Sequence, residues 1–275
     1  MSIDATRGAA PFGWRIDRLD TIDSTNAEAR RRAASGDPGR LWIVAGEQSA
    51  GRGRRARSWV SPRGNLHASA LLIDPCSQAR SPQLGFVAGV ALVRAARELG
   101  AGRARLKWPN DLVIGGAKCA GMLLEGSALP DRRLACVVGI GVNCLHAPEG
   151  VGYPTATLAR DDGGVVEGSE LLERLAARFD EALEAWARGE GFPAVRTAWL
   201  EYAAGLGTVV RVDGVRGRRE GAFEGLDADG RLLFRGEGGT EAIEAADLWI
   251  SPDPDDAAPA APTGSTRAGR PSVND

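Results

Sequence analysis

The 275-residue chain carries 34 Lys and Arg against 36 Asp and Glu, a formal net charge of −2, with 43% hydrophobic and 25% charged residues. That balance belongs to a globular protein with a buried core, built as one large domain or one domain plus a small module. It excludes a general polyanion binder, which needs a basic excess. No apolar run nears the roughly 18 residues of a membrane span, and the N-terminus lacks the basic-then-apolar layout of a signal peptide. A cytoplasmic protein with no membrane partner is expected. No two of Cys76, Cys119, Cys136 and Cys144 form a CxxC pair, and three of them sit in apolar stretches, so they read as small buried hydrophobes.

In chain order, residues 1–13 read as a flexible arm and 14–19 as a strand. Ser24 or Thr25 offers an N-cap for a helix over 26–34. A Val- and Ile-rich strand follows at 41–47. Residues 49–65 have no periodicity and contain three Gly and a Pro, so they form a long loop before a strand at 66–73. Leu84, Val87, Ala88, Ala91, Leu92, Ala95 and Leu99 fall on one face of a helix over 82–99, stopped by Gly100. Strands are predicted at 104–107, 112–114, 119–125 and 134–140, with Gly115-Gly116 as a tight turn. Helices follow at 170–188 and 192–202. After Gly205 the pattern changes to short β segments at 209–212, 219–226, 231–235 and 240–243, with an Asp229-Gly230 hairpin signal. The chain thus divides into a main domain over 14–204, a small barrel over 205–251 and a tail over 252–275. The tail is too poor in large apolar side chains to offset its ordering entropy, and disorder is predicted there.

Gly51-Arg52-Gly53-Arg54-Arg55-Ala56 matches the dinucleotide pattern GxGxxG/A, with Asp74 behind it. That fingerprint needs a helix whose N-terminus meets the pyrophosphate, and residues 57–64 do not continue as one. The charge is more telling: Arg52, Arg54, Arg55, Arg57 and Arg63 share the loop with no acid. Such cations repel one another unless an anion collects among them. The interleaved glycines let backbone N–H groups approach phosphate oxygens, and arginine supplies forked donors. A solvated basic loop would have the same composition. Trp59 offers either a face for purine stacking or an ordinary core side chain.

Lys107-Trp108-Pro109-Asn110-Asp111 forms a second cluster, in which Pro109 breaks the sheet ladder and presents Asn110 and Asp111 at a strand end. Lys118 follows among apolar neighbours, so its ammonium either snorkels outward or faces a pocket; the neighbours alone favour snorkelling. With a carboxylate and an arginine loop, it would suit a site that stabilises charge as a carboxylate attacks a phosphate. In Gly139-Ile140-Gly141-Val142-Asn143 the glycines permit close approach of backbone to ligand, and Asn143 can donate and accept.

Taken in order, Ser24-Thr25-Asn26, the run from Glu47 to Arg54, Lys107 to Asp111 with Lys118, and Gly139 to Asn143 resemble the biotin protein ligases (biotin–[acetyl-CoA-carboxylase] ligases) over residues 14–250. The resemblance implies an α+β fold: a central mixed sheet with flanking helices, like the class II synthetases, followed by a small SH3-like barrel. It implies ATP and biotin as substrates with Mg2+, biotinyl-5′-AMP as intermediate, and transfer to a lysine of a biotin carboxyl carrier domain. By resemblance, Ser24, Thr25, Asn26 and Gln48 contact biotin, while Arg52, Gly53 and Arg54 hold carboxylate and phosphate. Lys118 lies at the reacting centre, and Trp59 and Asn143 serve the adenylate. Asp111 helps place the metal or the incoming amine; the metal ligands themselves are not assigned. Some relatives carry an N-terminal DNA-binding domain, for which the 23 residues before Ser24 are too few, so the monofunctional form and no DNA partner are expected. Residues 243–248 lack the glycine often found before the aspartate that stands here as Asp247. A homodimer is left open. The alternatives are a lipoate or octanoate ligase, whose loop lacks this arginine run, and a non-catalytic nucleotide- or RNA-binding module with steeply salt-dependent binding.

Overall fold

The structure, a computed structural model, describes residues 6–9, 13–214, 216–244 and 246–250. Its centre is dictated by a strand without alternation: Leu66–Ile73 is buried at every position but the last. Such a run belongs to a strand covered on both faces. It is the fourth strand of an eight-stranded sheet made of β1 (Thr6–Ala9), β2 (Arg15–Ile22), β3 (Leu41–Gln48), β4 (Leu66–Ile73), β5 (Arg105–Lys107), β6 (Asp111–Ile114), β7 (Ala117–Ala128) and β8 (Leu134–Val142). The spatial order is β1-β2-β3-β4-β8-β7-β6-β5. Only β2 and β3 pair in parallel, because the helix α1 (Thr25–Ala34) carries the chain back across the sheet between them; the other pairs are antiparallel.

On one face α1 packs Ala29 and Ala33 against Leu19, Ile43, Leu71 and Val137. On the other, α2 (Leu84–Glu98) lies against α3 (Gly168–Trp186) and α4 (Phe192–Glu201). Eleven of its fifteen residues are buried, as befits a helix enclosed on several sides. Trp14, Trp42 and Phe179 cluster with ring centroids 5.3–5.8 Å apart. Asp180 closes this cluster by accepting from Trp14 Nε1 at 2.8 Å and Arg40 Nη2 at 2.5 Å while only 3% exposed. Asp180→Ala leaves the buried Trp14 indole N–H without its acceptor, so a loss of about 1–3 kcal/mol is expected. A thermal melt with the midpoint unchanged from wild type would contradict this.

A second, five-stranded antiparallel sheet has the order β12-β11-β10-β9-β13. Its strands are β9 (Val209–Gly214), β10 (Gly217–Leu226), β11 (Leu232–Gly236), β12 (Gly239–Ile243) and β13 (Asp247–Ile250). Its buried Val212, Phe223 and Phe234 belong to the same core as α2 and β4. The hairpin predicted at Asp229-Gly230 joins β10 to β11, and Trp108 Nε1 donates to Gly230 O at 3.1 Å, tying that turn to the main sheet. The observed architecture is thus the mixed sheet with flanking helices and a small C-terminal β unit that the sequence led us to expect.

Two strands escaped the sequence reading. The arm expected over 1–13 supplies β1, whose backbone pairs with β2 from Thr6↔Arg18 to Ala9↔Arg15. Thr-Arg-Gly-Ala has no alternation to announce it; its backbone pairing with β2 makes it a strand. β13 pairs with β9 from Asp247↔Asp213 to Ile250↔Val210, a contact between distant segments that no local pattern encodes. The tail predicted to be disordered lies outside the described residues, as do residues 1–5 and 10–12 of the arm. All four cysteines are buried and unbonded. Burial pushes the thiols of Cys119 and Cys136 up to about 12 and that of Cys144 up to about 11, so none is a thiolate at neutral pH. Among the described residues no helix is long and apolar enough to cross a membrane.

Candidate active site

One cleft opens where β3, β7 and β8 meet the N-terminus of α1, with residues 49–65 folded over it; it holds about 780 Å³ of free space, counting its mouth. Its end wall begins with Ser24, which caps α1 from an extended conformation and accepts from Ala27 N at 3.4 Å. Thr25 then donates to Gln48 Oε1 through its backbone N (2.9 Å) and its hydroxyl (3.1 Å), and Gln48 Nε2 donates to Ser61 Oγ at 2.9 Å. The Ser69 hydroxyl lies 2.6 Å from Asn26 Oδ1 and 2.8 Å from Thr25 Oγ1. Asn26 Nδ2 donates to Glu125 Oε2 at 2.8 Å. The result is an uncharged wall of ordered donors and acceptors at a helix N-terminus.

The floor is glycine. Gly121 faces Gly141 and Leu123 faces Gly139 across β7 and β8. A Cβ on Gly139 would lie 2.2 Å from Asn26 Oδ1, and one on Gly141 would lie 2.5 Å from Trp59 Nε1. The sequence suggested that these glycines let backbone approach a ligand; they line the cleft and also make room for Asn26 and Trp59. Trp59 is therefore no core residue but a half-buried plate lying on the floor.

Lys118 faces this cleft, against the snorkelling that its neighbours favoured. Its Nζ lies 2.7 Å from Asp111 Oδ1, 5.5 Å from the centre of the Trp59 ring and 5.7 Å from that of Tyr153. A bulge explains the direction. Leu112 pairs with Ala120 but Val113 with Lys118, so Cys119 is the extra residue, and Lys118 swings to the side of Gly121. Thr155 braces the bulge from outside, through Lys118 N to Pro154 O at 2.9 Å and Ala156 N to Lys118 O at 3.0 Å. Lys107 Nζ stands 3.7 Å from Asp111 Oδ2; burial pulls its pKa down, with the Asp111 charge working against that pull.

The loop arginines borrow their acceptors from other elements. Arg52 pairs with Glu125 at 3.5 Å, Arg54 Nη1 donates to Asn110 Oδ1 at 2.9 Å, and Arg55 and Arg57 reach Asp247 at 3.1 and 2.5 Å. Arg63 grips Asp20 in a fork at 2.6 and 2.8 Å and anchors the loop base to β2. Burial draws the pKa of Arg54 down, the mark of a cation taken partly out of water.

Ser24, Thr25, Asn26, Gln48, Arg52, Gly53, Arg54, Trp59, Asp111 and Lys118 all line this cleft. Asn143 does not. It is 1% exposed and donates from Nδ2 to Ala156 O at 3.3 Å, because the end of β8 turns it beneath the segment that braces Lys118. Tyr153, Glu125 and Asp247 were given no role at the site; each reaches it from an element distant from the arginine loop. Asn110 sat in the quoted motif without a role, and only the fold shows it as the partner of Arg54. Among the described residues no group of three or more His, Cys, Asp or Glu could hold a metal ion. Mg2+ commonly takes one or two carboxylates and substrate phosphates instead. Asp111 fits that use, since its Oδ1 is buried with no aligned hydrogen bond despite the nearby lysine.

Residues 19–143 match the biotin/lipoate A/B protein ligase family. A biotin–[acetyl-CoA-carboxylase] ligase of Paracoccus denitrificans is 40% identical over 245 residues, 84% of this chain and 99% of that protein. A biotin protein ligase from Aquifex aeolicus, solved in complex with biotin and ATP, superimposes with a TM-score of 0.73 at 29% identity, over 86% of this chain and 99% of that one. The biotin protein ligase of Leishmania major in complex with biotinyl-5-AMP matches with a TM-score of 0.60 at 26% identity, over 84% of this chain and 98% of that one. The chain therefore belongs to the biotin/lipoate A/B protein ligase family, and within it stands with the biotin protein ligases.

Proposed function

We propose that this protein is an ATP-dependent biotin–[biotin carboxyl carrier protein] ligase, which makes biotinyl-5′-AMP and passes biotin to a lysine of a carrier domain. The observation that carries the reading is the position of Lys118. Its ammonium shares one cleft with the neutral side chains of Thr25, Asn26 and Gln48 and with the cations Arg52 and Arg54. A ureido ring needs neutral donors and acceptors, and the wall offers both. A carboxylate and a triphosphate need cations, and Lys118 with the arginine loop offers those.

In the first step a biotin carboxylate oxygen attacks the α-phosphorus, a C–O–P link forms, and the bond to the pyrophosphate oxygen breaks. Negative charge shifts toward the departing pyrophosphate. Lys118 and Arg54 hold the reacting oxygens, so their fixed charges stabilise the transition state without reorganisation. Mg2+ entering with the nucleotide would be held by Asp111 and supplies charge neutralisation on the triphosphate. Trp59 and the arginine loop cover the mixed anhydride and keep water from it. In the second step the acceptor amine attacks the acyl carbon and AMP leaves with the bridging oxygen. Asp111 stands beside Lys118, where it can take a proton from the amine.

The test is exchange of labelled pyrophosphate into ATP with biotin, lipoate or no acid added. Exchange with biotin alone is the expected result. Exchange with lipoate and not biotin would replace this reading with a lipoate ligase, and none with either would leave a nucleotide-binding module.

A further inference from the structure

The arginine loop closes on itself through Gly53 N to Arg57 O at 2.7 Å and Trp59 N to Gly51 O at 3.0 Å. Its tip is strained: Arg55 (φ 54) and Ala56 (φ 58) are consecutive non-glycine residues in the left-handed region. No acid within the loop can hold that tip. The carboxylate that does so comes from the second sheet, where Asp247 Oδ2 lies 2.5 Å from Arg57 and 3.1 Å from Arg55. Burial pushes the Asp247 carboxyl up, but the hydrogen bond from Arg57 and the charges of Arg57, Arg55 and Arg54 outweigh it and leave the group below its usual range.

β13 makes a second contact of the same kind. Trp249, two residues on and so on the same strand face, lies under Arg211 at 5.0 Å and Lys107 at 5.8 Å from its ring centre. The strand is held by its register with β9, so Asp247 is a fixed post rather than a mobile partner. Arg57 and Asp247 both line the cleft.

From this geometry we infer that Asp247 is a positioning residue that latches the tip of the arginine loop over the cleft. The small C-terminal sheet thereby sets how long an acyl-adenylate stays bound and shielded from water. The consequence for the adenylate rests on the function proposed above; the consequence for the loop does not.

The experiment compares the full-length wild type with Asp247→Asn and Asp247→Glu. Limited trypsin digestion without ligands reads the population of the open tip through cleavage after Arg55 and Arg57. Loss of an exposed ion pair predicts about fivefold faster cleavage in Asp247→Asn and near-wild-type cleavage in Asp247→Glu. Loss of pre-formed biotinyl-adenylate is expected to quicken by a similar factor, with the KM for biotin within about twofold of wild type, because the end wall is untouched. A merely structural role would lower the thermal midpoint without changing this split. Equal cleavage rates in wild type and Asp247→Asn would overturn the latch, and unchanged adenylate loss would overturn its control of residence. A wild type that makes no adenylate would sink the proposed function while leaving the cleavage comparison standing.

Discussion

Lys118→Ala is expected to lower the rate of pyrophosphate release from ATP with biotin by about three orders of magnitude, with the thermal midpoint only a few degrees lower. Deleting one preorganised donor to a developing anion costs roughly 10²–10³ in rate. Lys118 carries a full charge between two aromatic rings, so the upper end or beyond applies. Stability is the smaller casualty. Breaking a fully buried ion pair costs about 3–5 kcal/mol, but Asp111 keeps Lys107 at 3.7 Å and the site opens to solvent, so about 1–2 kcal/mol is expected. Lys118→Arg should fail to restore the rate, because a planar fork cannot replace a compact ammonium on this floor. Exchange measured beside a thermal melt separates the two effects. Near-normal exchange in Lys118→Ala would remove this lysine from the reacting centre.

Gly139→Ala should injure fold and binding together. Its Cβ would sit 2.2 Å from Asn26 Oδ1 and 2.8 Å from Asn26 Cγ, and Asn26 is only 5% exposed. That side chain cannot swing aside freely, because Ser69, Leu123 and Glu125 hold both ends of its amide. Overpacking costs about 1–3 kcal/mol and each hydrogen bond lost about 1 more. A midpoint lower by about 5–10 °C is therefore expected, and the displaced wall should weaken biotin binding at least tenfold. Gly121→Ala is the informative contrast. Its Cβ would meet Lys118 Cε and Nζ and Trp59 Cζ3, each at 3.3 Å, so the flexible lysine end and the half-buried ring need give only a few tenths of an ångström. It should leave the midpoint close to wild type and lower the activation rate. Equal thermal shifts in the two variants would refute this account of the floor.

Much of the site could be read without coordinates, and the reasons are local. Ser24 announces itself as an N-cap by chemistry that acts within one helical turn. Gly115 and Gly116 take φ of 55° and 73°, as a two-residue hairpin demands. The acid-free run of arginines marks anion chemistry by charge alone. Asn143 is a residue type that can hydrogen-bond a ligand and can equally hold a loop, and here its amide holds Ala156. Lys118 was expected at the reacting centre, although its apolar neighbours alone favoured snorkelling, and the bulge at Cys119 is what turns it to the cleft.

The sequence by itself thus determined the helices and most strands, the neutral and cationic sets of side chains, and the family resemblance those sets carry. Each follows from periodicity, capping or charge within a short stretch of chain. Tertiary structure alone decided where these pieces meet. It made an edge strand of Thr6–Ala9, brought β13 back to β9, aimed Lys118 at Asp111, and supplied the arginine loop with carboxylates from β7 and β13. The physical reason is that sheet pairing and ion pairing join residues far apart in sequence, and no local pattern records which strand will lie beside which. The net charge of −2 hides a loop of five arginines whose acids stand up to 192 residues away.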